Sequence, residues 1–228
     1  MAMMQNKLAD KEEIMAKFFD GMTLMIGGFA CTGVPRELIE LVVESGVKDI
    51  TLISNDAGDP NICQGRLYHE GLVKECWHSH VGLNKEFGQL AALDPCPFKL
   101  HITPQGTLVE KIRCGGIGAG GILLRTGMKT GTQMEKEREK ITVDGVEWFI
   151  ETPLHADVAL IRARRADTFG NLTYHGNMEN YNSVMAMAAD CVIVQADHIC
   201  DVEEIQMDTV KTPGVFVNMI LDEERRYI

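Results

Sequence analysis

The sequence predicts an α/β fold: a doubly wound, mostly parallel open sheet with helices on both faces, plus a β-hairpin excursion. Three observations carry that expectation. Short apolar runs recur along the chain, each separated from the next by a glycine or polar break and an amphipathic helical stretch. Strand, crossover helix and strand in that order pair parallel and wind right-handed. One Asp-Gly pair, Asp144-Gly145, lies between β-prone runs and interrupts the alternation with a hairpin signal.

The elements follow in order. Residues 1–17 set Lys7, Asp10, Lys11, Glu12 and Glu13 among apolar residues, which reads as an amphipathic helix start with no signal peptide. Leu24-Met25-Ile26 is a buried strand that opens into Gly27-Gly28-Phe29-Ala30-Cys31-Thr32-Gly33. Pro35 suits a first helical position, and Arg36 to Ser45 turns Leu38, Ile39, Leu41, Val42 and Val43 inward before Gly46 stops the helix. Glu37, Glu40 and Glu44 fall on its outer face and read as solvated charges. Asp49 to Ile53 is the next strand, Leu72 to Trp77 another, Asn84 to Leu93 a helix, and Phe98 to Ile102 a strand. Thr107 and Glu110 fit a capping box for a helix ending at Gly115. From Gly115 to about Lys140 glycines give way to alternating Glu and Lys, a long irregular segment. Beyond the hairpin come buried strands at Val158–Ile161 and Cys191–Val194, a helix around Ser183 to Ala189, and a late apolar run, Val215-Phe216-Val217, that reads as a further strand. With no repeat or linker, residues 1–228 read as a single domain.

Composition excludes several classes. A formal net charge of −11 opposes nucleic acid and anionic membrane as partners. No segment approaches the roughly 18 apolar residues of a membrane span. The seven cysteines are scattered, odd in number and free of any C-x-x-C pair, so buried reduced thiols in a cytoplasmic protein are expected. His78 and His80 lack a third ligand at a recognisable spacing, so a hydrogen-bonding role is expected and no metal site.

Three loops carry candidate chemistry. Gly27 to Gly33 lies between a strand end and a helix start, where free N–H groups and the helix dipole would face an anion. A tight turn explains the same residues equally well, and the spacing is neither a dinucleotide nor a Walker fingerprint. Thr103-Pro104-Gln105-Gly106-Thr107 fits a type I turn that projects Gln105 at the carboxyl edge of the sheet, where its amide can donate to a developing oxyanion. Gly115 to Gly121, with Gly115 and Gly116 foremost, reads as a substrate rim, a subunit interface or a hinge. Asn55 follows the second strand at the binding edge, as a contact to substrate or neighbouring subunit or as a turn cap.

Together these residues resemble the α-subunit family of class I coenzyme A transferases, of the acetate, acetoacetate and butyrate type. Asp20 to Pro35 is similar to the family's N-terminal motif nearly residue for residue. Further resemblance runs through Leu52–Asp56, Ser79–Gly82, Thr103–Leu108, Ile112–Gly116, Ala156–Ala163 and Gly170–Tyr174, and so covers nearly the whole chain. The resemblance implies that Gly27, Gly28, Phe29, Ala30, Cys31, Thr32 and Gly33 form the coenzyme A-binding segment and that Gln105 helps form the oxyanion hole. It implies a β-subunit partner carrying the catalytic glutamate, which forms a mixed anhydride and then a glutamyl-CoA thioester in a ping-pong reaction. It also implies an α2β2 assembly, small carboxylic acids and acyl-CoA as substrates, and no permanently bound cofactor. Asn177 to Asn182 departs from the family's Ser-Ala-Arg-Asn-Phe-Asn by placing Glu179 where arginine is common, and Leu93–Pro97 and Leu124–Gly127 are also atypical. Two other readings stand beside the transferase. One is a thioester or ring-opening hydrolase on the same scaffold, and the other a non-catalytic ligand-sensing module.

Overall fold

The computed structural model describes residues 6–132, 135–136 and 138–222. Residues 1–5 of the expected N-terminal helix and positions 133, 134 and 137 of the alternating polar stretch lie outside the described residues.

The first half of the chain alternates strand and helix: β1 (Leu8–Ala9), α1 (Lys11–Met15), β2 (Thr23–Ile26), α2 (Arg36–Ser45), β3 (Ile50–Ser54), α3 (Gly65–His69), β4 (Val73–His78), α4 (Lys85–Ala91), β5 (Lys99–Ile102) and α5 (Gln105–Gly116). A small antiparallel sheet follows, from β6 (Ile122–Leu124), β7 (Lys140–Val143) and β8 (Val146–Glu151), in the order β6-β8-β7. The chain then returns through β9 (Ala156–Asp167), β10 (Leu172–Thr173), a 3₁₀ turn over Gly176–Glu179, α6 (Asn182–Met185), β11 (Ala189–Cys200) and β12 (Met219–Leu221). The main sheet runs β1-β12-β11-β9-β2-β3-β4-β5, with every neighbouring pair on that path parallel and β10 hanging antiparallel on β9.

Strand alternation sorts the core onto two faces. Leu24, Ile26, Leu52, Val158 and Leu160 point toward α2, α3 and α4, where Leu38, Val42, Leu67 and Phe87 cover them. Met25, Ile53, Ala159 and Ile161 point the other way, under Leu108 and Ile112 of α5 and Met185 of α6. Helices on both faces of a parallel sheet make the doubly wound arrangement. The Asp144-Gly145 turn joins β7 to β8 with both residues at positive φ, as the hairpin signal requires. Among the described residues no helix is long and apolar enough to cross a membrane.

Several local expectations are corrected. Helix α5 starts at Gln105, two residues before the expected capping box, and no side chain caps it. Thr107 therefore sits inside the first turn with a buried, unbonded hydroxyl. Pro104 has ψ 137, which places Thr103–Gly106 outside the type I geometry. Val215–Val217 is no strand: Gly214–Phe216 forms a 3₁₀ turn, and the late strand is Met219–Leu221, between β1 and β11. Ala189 belongs to β11 and not to the preceding helix. Part of the irregular segment after Gly115 is strand β6. Glu40 is not simply solvated, since it pairs with Arg66 at 3.1 Å. All seven cysteines are free, but Cys96 is exposed and Cys31 and Cys191 are partly so.

A buried ionic clasp ties the small sheet to α5. The Glu151 carboxylate, near the end of β8, accepts Lys111 Nζ at 3.2 Å and Arg138 Nε at 2.6 Å, and the lysine and glutamate are almost wholly buried.

Candidate functional site at the sheet switch point

The strand order reverses around β2, which has β9 on one side and β3 on the other. The helix after β2 leaves over one face and the helix after β9 over the other, which opens a crevice at the carboxyl ends of these strands. The turn Gly27–Gly33 lies in that crevice.

Its glycines are there for close approach. Asn182 Oδ1 lies against Gly27 where a Cβ would overlap it. The same asparagine donates to the Gly33 carbonyl at 2.9 Å and accepts the Arg162 amide at 2.9 Å, so it pins β2, the turn and β9 together. A Cβ on Gly28 would come within 2.7 Å of Val34, and one on Gly33 within 2.7 Å of the Met178 carbonyl. The tip is a tight reciprocal turn, in which Phe29 N–H donates to the Thr32 carbonyl at 3.0 Å and Thr32 N–H to that of Phe29 at 2.9 Å. Ala30, with φ 51, gives its amide to Asp56 Oδ2 at 2.8 Å.

This corrects the picture of a turn lined with free amides. Gly27 N–H goes to the Leu160 carbonyl, Gly28 N–H to that of Asn180, and Phe29, Ala30 and Thr32 are bonded as above. Among the described residues only the Cys31 and Gly33 amides of the turn lack a protein acceptor. The α2 N-terminus is occupied as well, because the Glu37 amide donates to Gln195 Oε1 at 3.1 Å.

Asn55 and Asp56 form the hub of the site, and both are buried. Asp56 takes Ala30 N–H and Asn55 Nδ2 on one carboxylate oxygen, and Gly58 N–H with Gln64 Nε2 on the other. Asn55 Oδ1 accepts Ser79 Oγ at 2.8 Å and Gln105 Nε2 at 2.9 Å. Three loops at the carboxyl edge are thereby wired in series: the β2 turn, the end of β3, and the start of α5. Gln105 is exposed. Its amide nitrogen carries two hydrogens and Asn55 uses one, which leaves the second to donate. Asn55 itself is fully buried, so it acts as a positioning residue and not as a surface contact.

Two further groups support the hub. Tyr181, with φ 60, donates its hydroxyl to the Gln105 carbonyl at 3.5 Å. Burial first, and then the Asp56 charge, hold that phenol above its ordinary range, so it stays protonated. His78 sits beneath the hub with Nδ1 on the Ser54 carbonyl at 3.1 Å and Nε2 on the Tyr68 hydroxyl at 2.5 Å. Complete burial pulls its imidazole down to about 4, against the opposing pull of the Ser54 carbonyl and Asp56. No metal-holding cluster exists among the described residues.

A groove of about 640 Å³ opens beside Gln105, between α5 and the segment entering α6. Val109, Glu110, Glu179, Tyr181 and Ser183 line it, and no lysine or arginine does. Gly115 and Gly116 do not join this site. They end α5 at the opposite edge of the sheet, about 15 Å along the axis from Gln105. Gly115 lies against the Leu154 carbonyl and Gly116 against Met187, so both serve internal packing. Sequence reasoning missed Asp56, Asn182 and Tyr181, none of which has a local pattern that distinguishes it from a turn or helix-start residue.

Comparison with known proteins shows the family. The sequence profile of the family described as coenzyme A transferase matches residues 9–223. The acetate CoA-transferase subunit alpha of Escherichia coli K12 is 43% identical over 218 residues, 96% of this chain and 97% of that protein. The acetoacetyl-CoA:acetate/butyrate CoA transferase alpha subunit of Clostridium acetobutylicum is 42% identical over 220 residues, 96% of this chain and 99% of that one. Among solved structures, glutaconate coenzyme A-transferase from Acidaminococcus fermentans superposes with a TM-score of 0.82 at 18% identity, over 94% of this chain and 75% of that chain, a likeness of fold.

Proposed function

The chain belongs to the coenzyme A transferase family, and from that premise we propose that it is the α subunit of a heteromeric CoA-transferase. It moves CoA between an acyl-CoA and a short-chain carboxylate of the acetate, acetoacetate or butyrate class. The nucleophile is a glutamate on a partner β subunit, in an α2β2 assembly in the cytosol. CoA comes and goes as a substrate, and no cofactor is held permanently.

The observation that carries this reading is the fixed side-chain amide of Gln105, anchored on Asn55 at the carboxyl edge with one N–H left to donate. Attack on an acyl-CoA carbonyl develops negative charge on oxygen, and a donor already held in place stabilises that charge without reorganising. Neutral Tyr181 fixes the same turn from the other side. The Gly27–Gly33 turn meets the CoA chain with its exposed tip, where the Cys31 amide is the donor left over. Glu179, in a groove lined by no lysine or arginine, makes it unfavourable for a second carboxylate, which supports monocarboxylic acids as the acyl group.

The test uses the heteromer purified with its partner, butyryl-CoA as donor and acetate as acceptor. Acetyl-CoA formed with no release of free thiol supports transfer. Free thiol formed at the same rate without acetate identifies a hydrolase. If the heteromer binds no CoA thioester while the isolated chain binds a sugar phosphate, the sensing module replaces both.

A further inference from the structure

Next to the turn, Cys31 Sγ and Cys63 Sγ lie 2.7 Å apart, 32 residues apart in sequence. A disulfide bond is about 2.05 Å long, so the sulfurs need to close by only about 0.7 Å. The two thiols differ in setting. Cys31 sits on the partly exposed tip beside Ala30, with Arg36 Nη2 on its carbonyl at 3.2 Å. Cys63 is fully buried, and its amide donates to the Asp59 carbonyl at 3.2 Å. The segment that carries Cys63 also carries Gln64, which holds Asp56 through both the backbone carbonyl and the carboxylate. A bond between the two sulfurs would therefore clamp the tip of the turn to the segment that braces the hub.

We propose that Cys31 and Cys63 are a redox-reactive dithiol that closes to an intrachain disulfide on meeting a low-molecular-weight disulfide such as oxidised coenzyme A, and that closure slows turnover. Cys31, the accessible member, attacks one sulfur of the oxidant as thiolate and expels one thiolate, which leaves a mixed disulfide on Cys31. Cys63 then attacks the Cys31 sulfur, its proton passing to the second departing thiolate. Two protein thiols are oxidised and one small disulfide is reduced to two thiols. Burial, and next the Cys31 neighbour, push the Cys63 thiol up to about 12, which keeps it out of the first attack, whereas its 2.7 Å contact with Cys31 makes the second attack intramolecular. Bond formation stands without any assignment of the turn, whereas the effect on turnover rests on the proposed function.

The experiment treats the reduced heteromer with oxidised coenzyme A, blocks remaining thiols with iodoacetamide and maps the peptides by mass. The exposed Cys96 serves as an internal control, since its sulfur bonds the Phe98 carbonyl at 3.0 Å and the neighbouring Cys76 thiol is fully buried, with no sulfur–sulfur contact like that of Cys31 and Cys63 among the described residues. The expected result is a crosslinked pair of peptides containing Cys31 and Cys63, with a CoA adduct persisting at Cys96. Cys63→Ser, or Cys63→Ala if serine impairs folding, accumulates the CoA adduct on Cys31 instead. Turnover of the oxidised wild type falls at least tenfold relative to the same sample after dithiothreitol, while the oxidised-to-reduced ratio of Cys31→Ser stays near one. An adduct at Cys96 with no Cys31–Cys63 crosslink overturns the dithiol. A crosslink with unchanged turnover overturns its effect on the reaction. A crosslink in a heteromer that transfers no CoA to any acid leaves the dithiol standing and removes the proposed function.

Discussion

Gly27–Gly33 and Gly115–Gly121 are both glycine-rich, and helix α5 relates them, starting at the hub that holds the first and ending in the second. At the first, Gly27 and Gly33 face neighbours from a distant part of the chain, Asn182 and the Met178 carbonyl, and Gly28 faces Val34 across the turn itself. The turn tip is then bonded to Asp56. At the second, Gly115 and Gly116 are packed, but Gly118 and Gly120 have nothing within 4 Å of where a Cβ would stand. One segment is fixed at every glycine because a site is assembled over it. The other is fixed at its two ends, where α5 meets Leu154 and Met187 and where Gly121 meets the Glu151 carbonyl, and is open between them. Glycine content records close approach, and the neighbour decides whether the approach serves a site or a joint between elements.

The sharpest way to break this contrast is to alter α5 at each end. Gln105→Ala is expected to lower kcat by about 10²–10³ while leaving thermal stability close to wild type, because an exposed oxyanion donor is lost and no core is touched. Steady-state kinetics and a melting curve on one preparation check this, and an equal loss of stability would erase the distinction between the ends.

Acid should act on the first segment before the second. His78 has its folded pKa lowered, so the unfolded chain takes up the proton first as pH falls. The stabilisation is complete above about 6.5, is lost progressively toward about 4, and totals on the order of 3 kcal/mol. Urea unfolding between pH 7.5 and 4.5 should show that slope, and His78→Gln should flatten it. In hydrogen exchange the Ala30 amide should lose protection with falling pH before the Ala119 amide, which bonds to the Cys114 carbonyl.

Gly27→Ala and Gly115→Ala each drive a methyl into a carbonyl oxygen, and each is expected to cost about 2–3 kcal/mol in urea denaturation. They should separate in activity, with Gly27→Ala losing turnover per folded molecule and Gly115→Ala keeping it. Gly120→Ala is the smallest effect, within about 0.5 kcal/mol, since its site is open. A large loss there would mean that the second segment is packed throughout.

Much of the fold was legible because buried parallel strands are apolar on both faces. Leu24–Ile26, Val158–Ile161 and Cys191–Val194 all lie where their composition put them. What escaped were strand lengths. β9 and β11 continue together for 12 residues each, through Arg162–Arg165 and Gln195–His198, where charged side chains conceal the pairing. The Arg162–Asp197 ion pair at 2.8 Å joins those extensions, and two residues 35 positions apart give no local sign of each other. The site divides in the same way. Gln105 and the turn were legible from their position at strand ends, whereas Asn182 reaches Gly27 only after the chain has passed from one face of the sheet to the other. The α5 start was misread because Thr-x-x-Glu satisfies a capping pattern that Pro104, three residues earlier, pre-empts.

The clasp on Glu151 bears on how the small sheet can vary. A carboxylate shared by Lys111 and Arg138 contributes little net stability once desolvation is counted, yet losing it strands two cations in a nearly closed space. Glu151→Gln should therefore loosen the small sheet, whereas a triple exchange of all three for apolar residues of matching volume should keep the protein folded. What the triple exchange gives up is alignment, because oil against oil accepts many offsets and a forked carboxylate accepts one. The hairpin tip is thus free to drift in length and composition over evolutionary time, provided that single anchor survives.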